Sequence, residues 1–133
     1  MGEGLTETVV RNPASGIYAA TPDYAHAIEV RNPQRILYLA GTMGLDEQGR
    51  PGATLDEQLD LVWKNIHTIL ASADMTVDNI VRVTSYLREA SYVEANQNAR
   101  VAALKGRAVP TTAIVVETLS PGWLVELEVI AAG

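Results

Sequence analysis

The chain has 133 residues, 47% of them apolar, which is enough to bury a core in one domain and leaves little room for two. Its 10 Lys+Arg stand against 16 Asp+Glu, a formal net charge of -6, which speaks against nonspecific attachment to nucleic acid or to an anionic membrane, since both rest on basic surface. With no cysteine there is no disulfide framework, no thiolate nucleophile and no cysteine metal site.

The opening MGEGLTETVV lacks a basic start and a long apolar run, and no window reaches bilayer length, so a soluble cytoplasmic protein is expected. Gly2 follows the first Met, but the Glu3 and Leu5 neighbourhood supplies no polybasic second signal, and no lipid anchor is expected. Leu5 to Val10 reads as a strand broken at RNPASG, His26 to Val30 as a second ended by RNPQR, and Ile36 to Ala40 as a third. The pairs Asn12-Pro13 and Asn32-Pro33 suit turns, because proline fixes φ and keeps the residue before it out of the α region. The spacing makes Val30 and Ile36 the expected ends of a hairpin. The stretch GTMGLDEQGRPGA that follows is too rich in glycine for a regular element.

Thr54 and Glu57 then form a capping-box signature, and Leu55, Leu59, Val62, Ile66, Ile69 and Ala73 recur at three- and four-residue steps. This predicts an amphipathic helix whose buried stripe Trp63 and Leu70 widen. A strand is expected over Ile80 to Leu87, with Val81, Val83, Ser85 and Leu87 on one face and Arg82, Thr84 and Tyr86 on the other. A second helix opens with the pair Ser91 and Glu94, buries Tyr92, Ala95, Ala99 and Ala102, and stops near Lys105-Gly106, where glycine can take a left-handed cap. Two last strands, about Thr111 to Glu117 and Leu124 to Ile130, are joined through TLSPG.

The order β-β-β-α-β-α-β-β is most simply packed as one sheet covered on one face by two helices. The last strand remains problematic on that arrangement. Leu124, Glu126, Glu128 and Ile130 alternate with Val125, Leu127 and Val129, so its uncovered face is partly apolar. Self-association is the physical answer, with sites expected where subunits meet.

Most familiar chemistries find no support. His26 and His67 are far apart and lack metal-ligand spacing; no phosphate-cradling glycine loop and no nucleophile elbow occurs. His67 lies just off the buried stripe and is expected in solvent. His26 stands beside Tyr24 at a strand start, where lining a pocket is one of its open roles.

The remaining cluster is Tyr24, Gly41, Thr111, Thr112 and Glu126. Around it the chain resembles the RidA/YjgF/YER057c/UK114 family, whose members include imine and enamine deaminases. DYAHAIEV corresponds to the family's Pro-Tyr-Ser-x-Ala segment, matching at Tyr24 and Ala27 and departing at Asp23 and Ala25. In ILYLAGTMGLDEQG, Gly41 takes the glycine of the usual Ser-Gly pair. NIHTILASADMTVDNIVRVTSYL and YVEANQNA continue the match, the latter placing Asn96 at a family asparagine. VPTTAIVVETLSPGWLVELEVIA fits the Pro-Ala-Arg-x signature and the terminal Glu-x-Glu strand. The resemblance covers nearly the whole chain, with one weighty departure: Thr112 occupies the position of the arginine that holds the substrate carboxylate in deaminating members. Threonine offers one neutral hydroxyl where arginine offers a charged planar fork.

The resemblance implies a single α+β domain over residues 1–133 with the chorismate-mutase-like fold, a mixed sheet with two helices on one face. It implies a homotrimer with three equivalent inter-subunit clefts and no metal or organic cofactor. Glu126 would position a water for attack on an imine carbon and relay a proton to nitrogen. Glu128, on the same strand face, is read as structural or solvent-facing. Tyr24, Gly41, Thr111, Thr112 and Asn96 would contact the ligand. Trp123, after Pro121-Gly122, would cover pocket or interface surface, and Arg107 either reaches the pocket from its loop or lies on the surface. Three readings of function follow. The first is hydrolysis of a reactive imine, enamine or related small C–N compound, altered in substrate by Thr112. The second is a non-catalytic small-ligand-binding or interaction trimer. The third is an endoribonuclease, which the acidic balance disfavours.

Overall fold

A computed structural model describes residues 4–133, so the anchor reading at Gly2 and Glu3 lies outside the described residues. The elements in chain order are β1 (Glu7–Arg11), β2 (Ala27–Arg31), β3 (Ile36–Tyr38), β4 (Thr42–Met43), α1 (Leu55–Ser72), β5 (Ile80–Leu87), α2 (Val93–Ala103), β6 (Thr111–Val115) and β7 (Val125–Ala132). The fold is α+β, with one strand more than the sequence suggests. Thr42 and Met43 pair with Leu127 and Glu126, inside the glycine-rich stretch expected to hold no regular element. Among the described residues, no helix is long and apolar enough to cross a membrane.

In α1 the Thr54 hydroxyl accepts the Glu57 N–H at 3.2 Å, while the Glu57 carboxylate reaches one residue past its expected partner to the Ala53 N–H at 2.8 Å. Leu59, Val62, Trp63, Ile66 and Leu70 are buried, with Leu55, Ile69 and Ala73 packed at the margin, and His67 is exposed. Each fully buried Leu or Ile contributes about 1.5–3 kcal/mol, which is why the stripe decides the helix's orientation. The apolar pattern does not reveal Gln58. It is buried, its amide donates to the carbonyls of Gly52 and Gly122, and its oxygen accepts the Leu124 N–H, all at 2.9 Å. One side chain thereby joins the glycine-rich segment to the last turn.

The start of α2 departs from expectation. Ser91 turns to Glu89, a 3-10 turn over Ala90–Tyr92 leads into the helix, and no side chain caps it. Of the expected stripe, Tyr92, Ala95 and Ala99 pack against the core and Ala102 is exposed; the most buried helical positions are Asn96 and Arg100, polar residues that an apolar stripe cannot announce. At the other end Lys105 already has φ 57 and Gly106 follows at φ 78. The Lys105 N–H bonds to Ala102 and the Gly106 N–H to Val101, so lysine takes the first left-handed position and glycine the next.

The main sheet runs β3-β7-β5-β6, with β4 beside β7; β5 and β6 are parallel and the other pairs antiparallel. The hairpin expected between Val30 and Ile36 does not form. Strand β2 pairs with β1 in a separate two-stranded sheet, and β3 lies along the end of β7. Asn32 turns at φ 51, and Arg35 exchanges backbone hydrogen bonds with Gly133, so the apolar edge of β7 captures β3 in place of its neighbour in sequence. Along β5 a bulge between Ile80 and Arg82 takes Val81 out of the alternation. Val83, Ser85 and Leu87 then face inward, as do Val125, Leu127, Val129 and Ala131 of β7. Arg82, Thr84, Tyr86, Glu126, Glu128 and Ile130 are left on the face away from the helices.

Candidate functional site

On that outer face, the register sets Glu126 of β7 opposite Tyr86 of β5 on one side and Met43 of β4 on the other. The chain breaks between β3 and β4 at Gly41. A Cβ there would collide with Oε2 of Glu126, so the glycine leaves the seat that the carboxylate occupies. Gly41, Tyr86, Thr118, Leu119, Glu126 and Glu128 line a cleft of about 250 Å³. The Tyr86 hydroxyl donates to Oε1 of Glu128 at 2.8 Å; that bond first, then burial and the nearby carboxylates, holds the phenol above its usual 10.0. Arg88 fixes the wall, donating to the Thr118 carbonyl at 3.0 Å, the Thr118 hydroxyl at 2.8 Å and the Ser120 carbonyl at 3.2 Å. Glu128 is exposed, as read from sequence, yet it borders the same cleft as Glu126.

Tyr24, Asn96 and Thr111 line a different cleft, of about 190 Å³, between the segment ahead of β2, α2 and β6. The Ala25 N–H bonds to the Val109 carbonyl at 3.2 Å, and Arg100 donates to the Asp23 carbonyl at 2.6 Å and to its carboxylate at 3.0 Å. The Thr21 hydroxyl, and after it Arg100, hold the Asp23 carboxyl below its usual value. His26 lies edge-on to Tyr24, ring centroids 5.7 Å apart, and its Nε2 is 2.7 Å from the Tyr18 carbonyl; it braces Tyr24 and lines neither cleft.

Within one chain the expected site residues are therefore divided. Glu126 and Gly41 share one cleft; Tyr24, Asn96 and Thr111 share the other. Thr112 lies in neither lining, and its hydroxyl accepts a hydrogen bond from Nη2 of Arg82 at 2.7 Å. Arg107 also borders neither: its guanidinium donates to the Val77 carbonyl at 2.9 Å and to that of Ile80, joining the turn before β5 to the end of α2. Trp123 stands in the turn before β7, where its carbonyl accepts the Thr118 hydroxyl at 2.6 Å. Tyr86, Thr118 and Arg82 carry no site signal in the sequence, and Glu128, read there as structural or solvent-facing, borders the cleft. Strand alternation alone places Arg82 and Tyr86 on one face and Glu128 beside Glu126, but only the register between β5 and β7 brings the two sets together.

A family model described as Endoribonuclease L-PSP matches residues 15–133. The RutC family protein YjgH of Escherichia coli (strain K12) is 29% identical over 72 residues, covering 54% of each chain. A RutC family protein of Aquifex aeolicus (strain VF5) is 33% identical over 67 residues, covering 50% of this chain and 51% of its own. The chain thus spans about half the length of the curated relatives it matches. The crystal structure of YyfB from Yersinia pestis, described as a member of the conserved Rid protein family, superposes with a TM-score of 0.79 at 25% identity, covering 95% of this chain and 98% of that one.

Proposed function

Because this chain belongs to the Endoribonuclease L-PSP family, the RidA/YjgF proteins, we propose that it hydrolyses a reactive imine, enamine or related small C–N compound to a carbonyl product and ammonia. The observation that carries this reading is the Glu126 carboxylate seated over Gly41 in an open cleft of about 250 Å³. There it can hold a water against a bound C=N carbon. Water oxygen bonds to that carbon as the C=N π bond opens, and Glu126 takes one of the water's protons and returns it to nitrogen. The carbinolamine hydroxyl then gives its proton, through Glu126, to the amine, the C–N bond breaks, and ammonia leaves the carbonyl.

The same reading includes assembly of a trimer whose subunits complete each site. Three features support it: the division of Tyr24, Asn96 and Thr111 from Glu126 within one chain, the free outer edge of β6, and Leu119, 93% exposed at the mouth of the Glu126 cleft. The same reading places the protein in the cytoplasm. Ribonuclease activity is disfavoured because Glu117, Glu126 and Glu128 line the cleft and would repel a phosphodiester. Binding without turnover is the second reading, favoured by the neutral Thr112 where the resemblance places a cationic anchor.

The experiment is ammonia release from a panel of freshly generated imines by wild type and Glu126→Gln. The variant loses turnover by a factor of about 100 or more, the range of a general acid–base group, and keeps its oligomeric size. Equal turnover in the two proteins removes Glu126 from the chemistry. Saturable binding with no substrate consumed by wild type selects the binding reading.

A further inference from the structure

The outer face of the sheet carries a second hollow, about 200 Å³, lined by Tyr38, Leu39, Arg82, Thr84, Glu128 and Ile130. Its cation is Arg82, half-buried on β5. A guanidinium carries five N–H donors. One hydrogen bond is made, from Nη2 to the Thr112 hydroxyl at 2.7 Å, and among the described residues Arg82 forms no ion pair. The neighbouring acid, Glu128, has an oxygen committed to the Tyr86 hydroxyl at 2.8 Å. Arg82 therefore borders the hollow as a cation held by Thr112, with no second acceptor among the described residues of its own chain.

We infer that this hollow is an anion subsite, in which the Arg82 guanidinium receives a carboxylate of the ligand. Glu128 lines both this hollow and the Glu126 cleft, so the two are neighbours on the same sheet face. The register measures the separation. Glu126 stands opposite Tyr86 and Ile130 opposite Arg82, four residues away along β5. At about 3.3 Å per residue that is roughly 13 Å along the strand; the bond to Thr112, which pairs with Thr84, brings the guanidinium back by about half of that along the strand but draws it toward β6, one strand spacing of about 4.8 Å further from β7. A ligand using both sites has its anionic group several bonds from its C–N centre. A small 2-imino acid, whose carboxylate is bonded directly to the imine carbon, does not span them. This substrate class rests on the proposed role of Glu126; the anion subsite itself does not.

The test titrates the protein with hexanoate and octanoate against the primary amides of the same length, following the arginine Nε–H resonances by NMR and the affinity by calorimetry. Expected is a shift of the Arg82 resonance by the carboxylates and at least tenfold tighter binding than the amides, as charge-assisted bonds provide. In Arg82→Gln that preference falls to within twofold. In Arg82→Lys, which keeps the charge and serves if the glutamine variant does not fold, losing the planar fork cuts the preference at least threefold. Glu128→Gln raises carboxylate affinity by removing a like charge. Equal binding of acid and amide by wild type, or a preference undiminished in both Arg82 variants, overturns the subsite. The Glu126→Gln protein keeps the carboxylate preference within twofold whether or not it loses turnover, so the two readings fail separately.

Discussion

Gly41 and Gly44 show how differently one missing side chain can act. At Gly41 the added methyl would meet the far end of the Glu126 side chain; at Gly44 it would meet the backbone of Gln58 in α1. A carboxylate can rotate away, whereas a helix packed into the core cannot. Gly41→Ala is therefore expected to lose most turnover with under about 1 kcal/mol of stability, while Gly44→Ala destabilises by about 1–3 kcal/mol through overpacking. Thermal unfolding and ammonia release, measured on both, check this; a Gly41→Ala enzyme with wild-type turnover would show that the seat of Glu126 does not matter. At this scale the sequence groups Glu126 with Gly41, and the two stand against one another, whereas Tyr24, Asn96 and Thr111 of the same group line another cleft. Thr112 was correctly placed on β6, but its bond to Arg82 joins residues 30 positions apart and depends on a strand pairing that neither residue encodes.

Helices and strands followed their apolar periodicity where burial was apolar, except at Val81, which the β5 bulge takes out of the alternation. Strand β5 has the bounds read from its pattern, and α1 buries nearly the stripe expected. The failures cluster where polar groups are buried, since hydrophobic spacing is silent there. In α2 the expected Tyr92, Ala95 and Ala99 pack against the core, but the most buried positions are Asn96 and Arg100, and Arg100 clamps the Asp23–Tyr24 segment 77 residues away in sequence. Arg100→Leu is expected to cost about 2–3 kcal/mol, because it strands a partly buried carboxylate without its charged partner. Tyr24 should become mobile in the same protein, read as loss of amide-exchange protection around residues 23–26. Acid should act in the same direction. The folded state holds the Asp23 carboxyl below its ordinary 3.8, so its contribution is complete above that pH and is lost as pH falls through the depressed value. A carbon-detected titration checks this: the Asp23 midpoint lies below 3.8, held there first by the Thr21 hydroxyl and then by Arg100, and it rises in Arg100→Leu; an equal midpoint in the two proteins would contradict the clamp.

For the molecule as a whole, a group of exposed apolar residues lies where the proposed subunits would meet. Ile114 and Val115 lie on the free edge of β6, 45% and 53% exposed, and Leu119 stands beside the Glu126 cleft. Exposed substitutions of this kind change a protomer's own stability by only about 0.5 kcal/mol. The double variant Ile114→Glu, Leu119→Glu is accordingly expected to be a folded monomer by light scattering and to release no ammonia from imines. A trimer of undiminished size would remove this edge from the interface, and an active monomer would place the whole site in one chain. By itself the sequence determined the α+β class, the two helices, the inward face of the terminal strands and the glutamate on the outward one. These follow from local spacing, because alternation and helical repeats report burial within a single element. Tertiary structure alone decided that β2 abandons β3 for β1, that β4 exists, that Tyr86 bonds Glu128, and that a guanidinium from β5 stands against Thr112. Each of these is a pairing between distant segments, selected by which edges and faces bury best together, and no repeat within one segment carries that information.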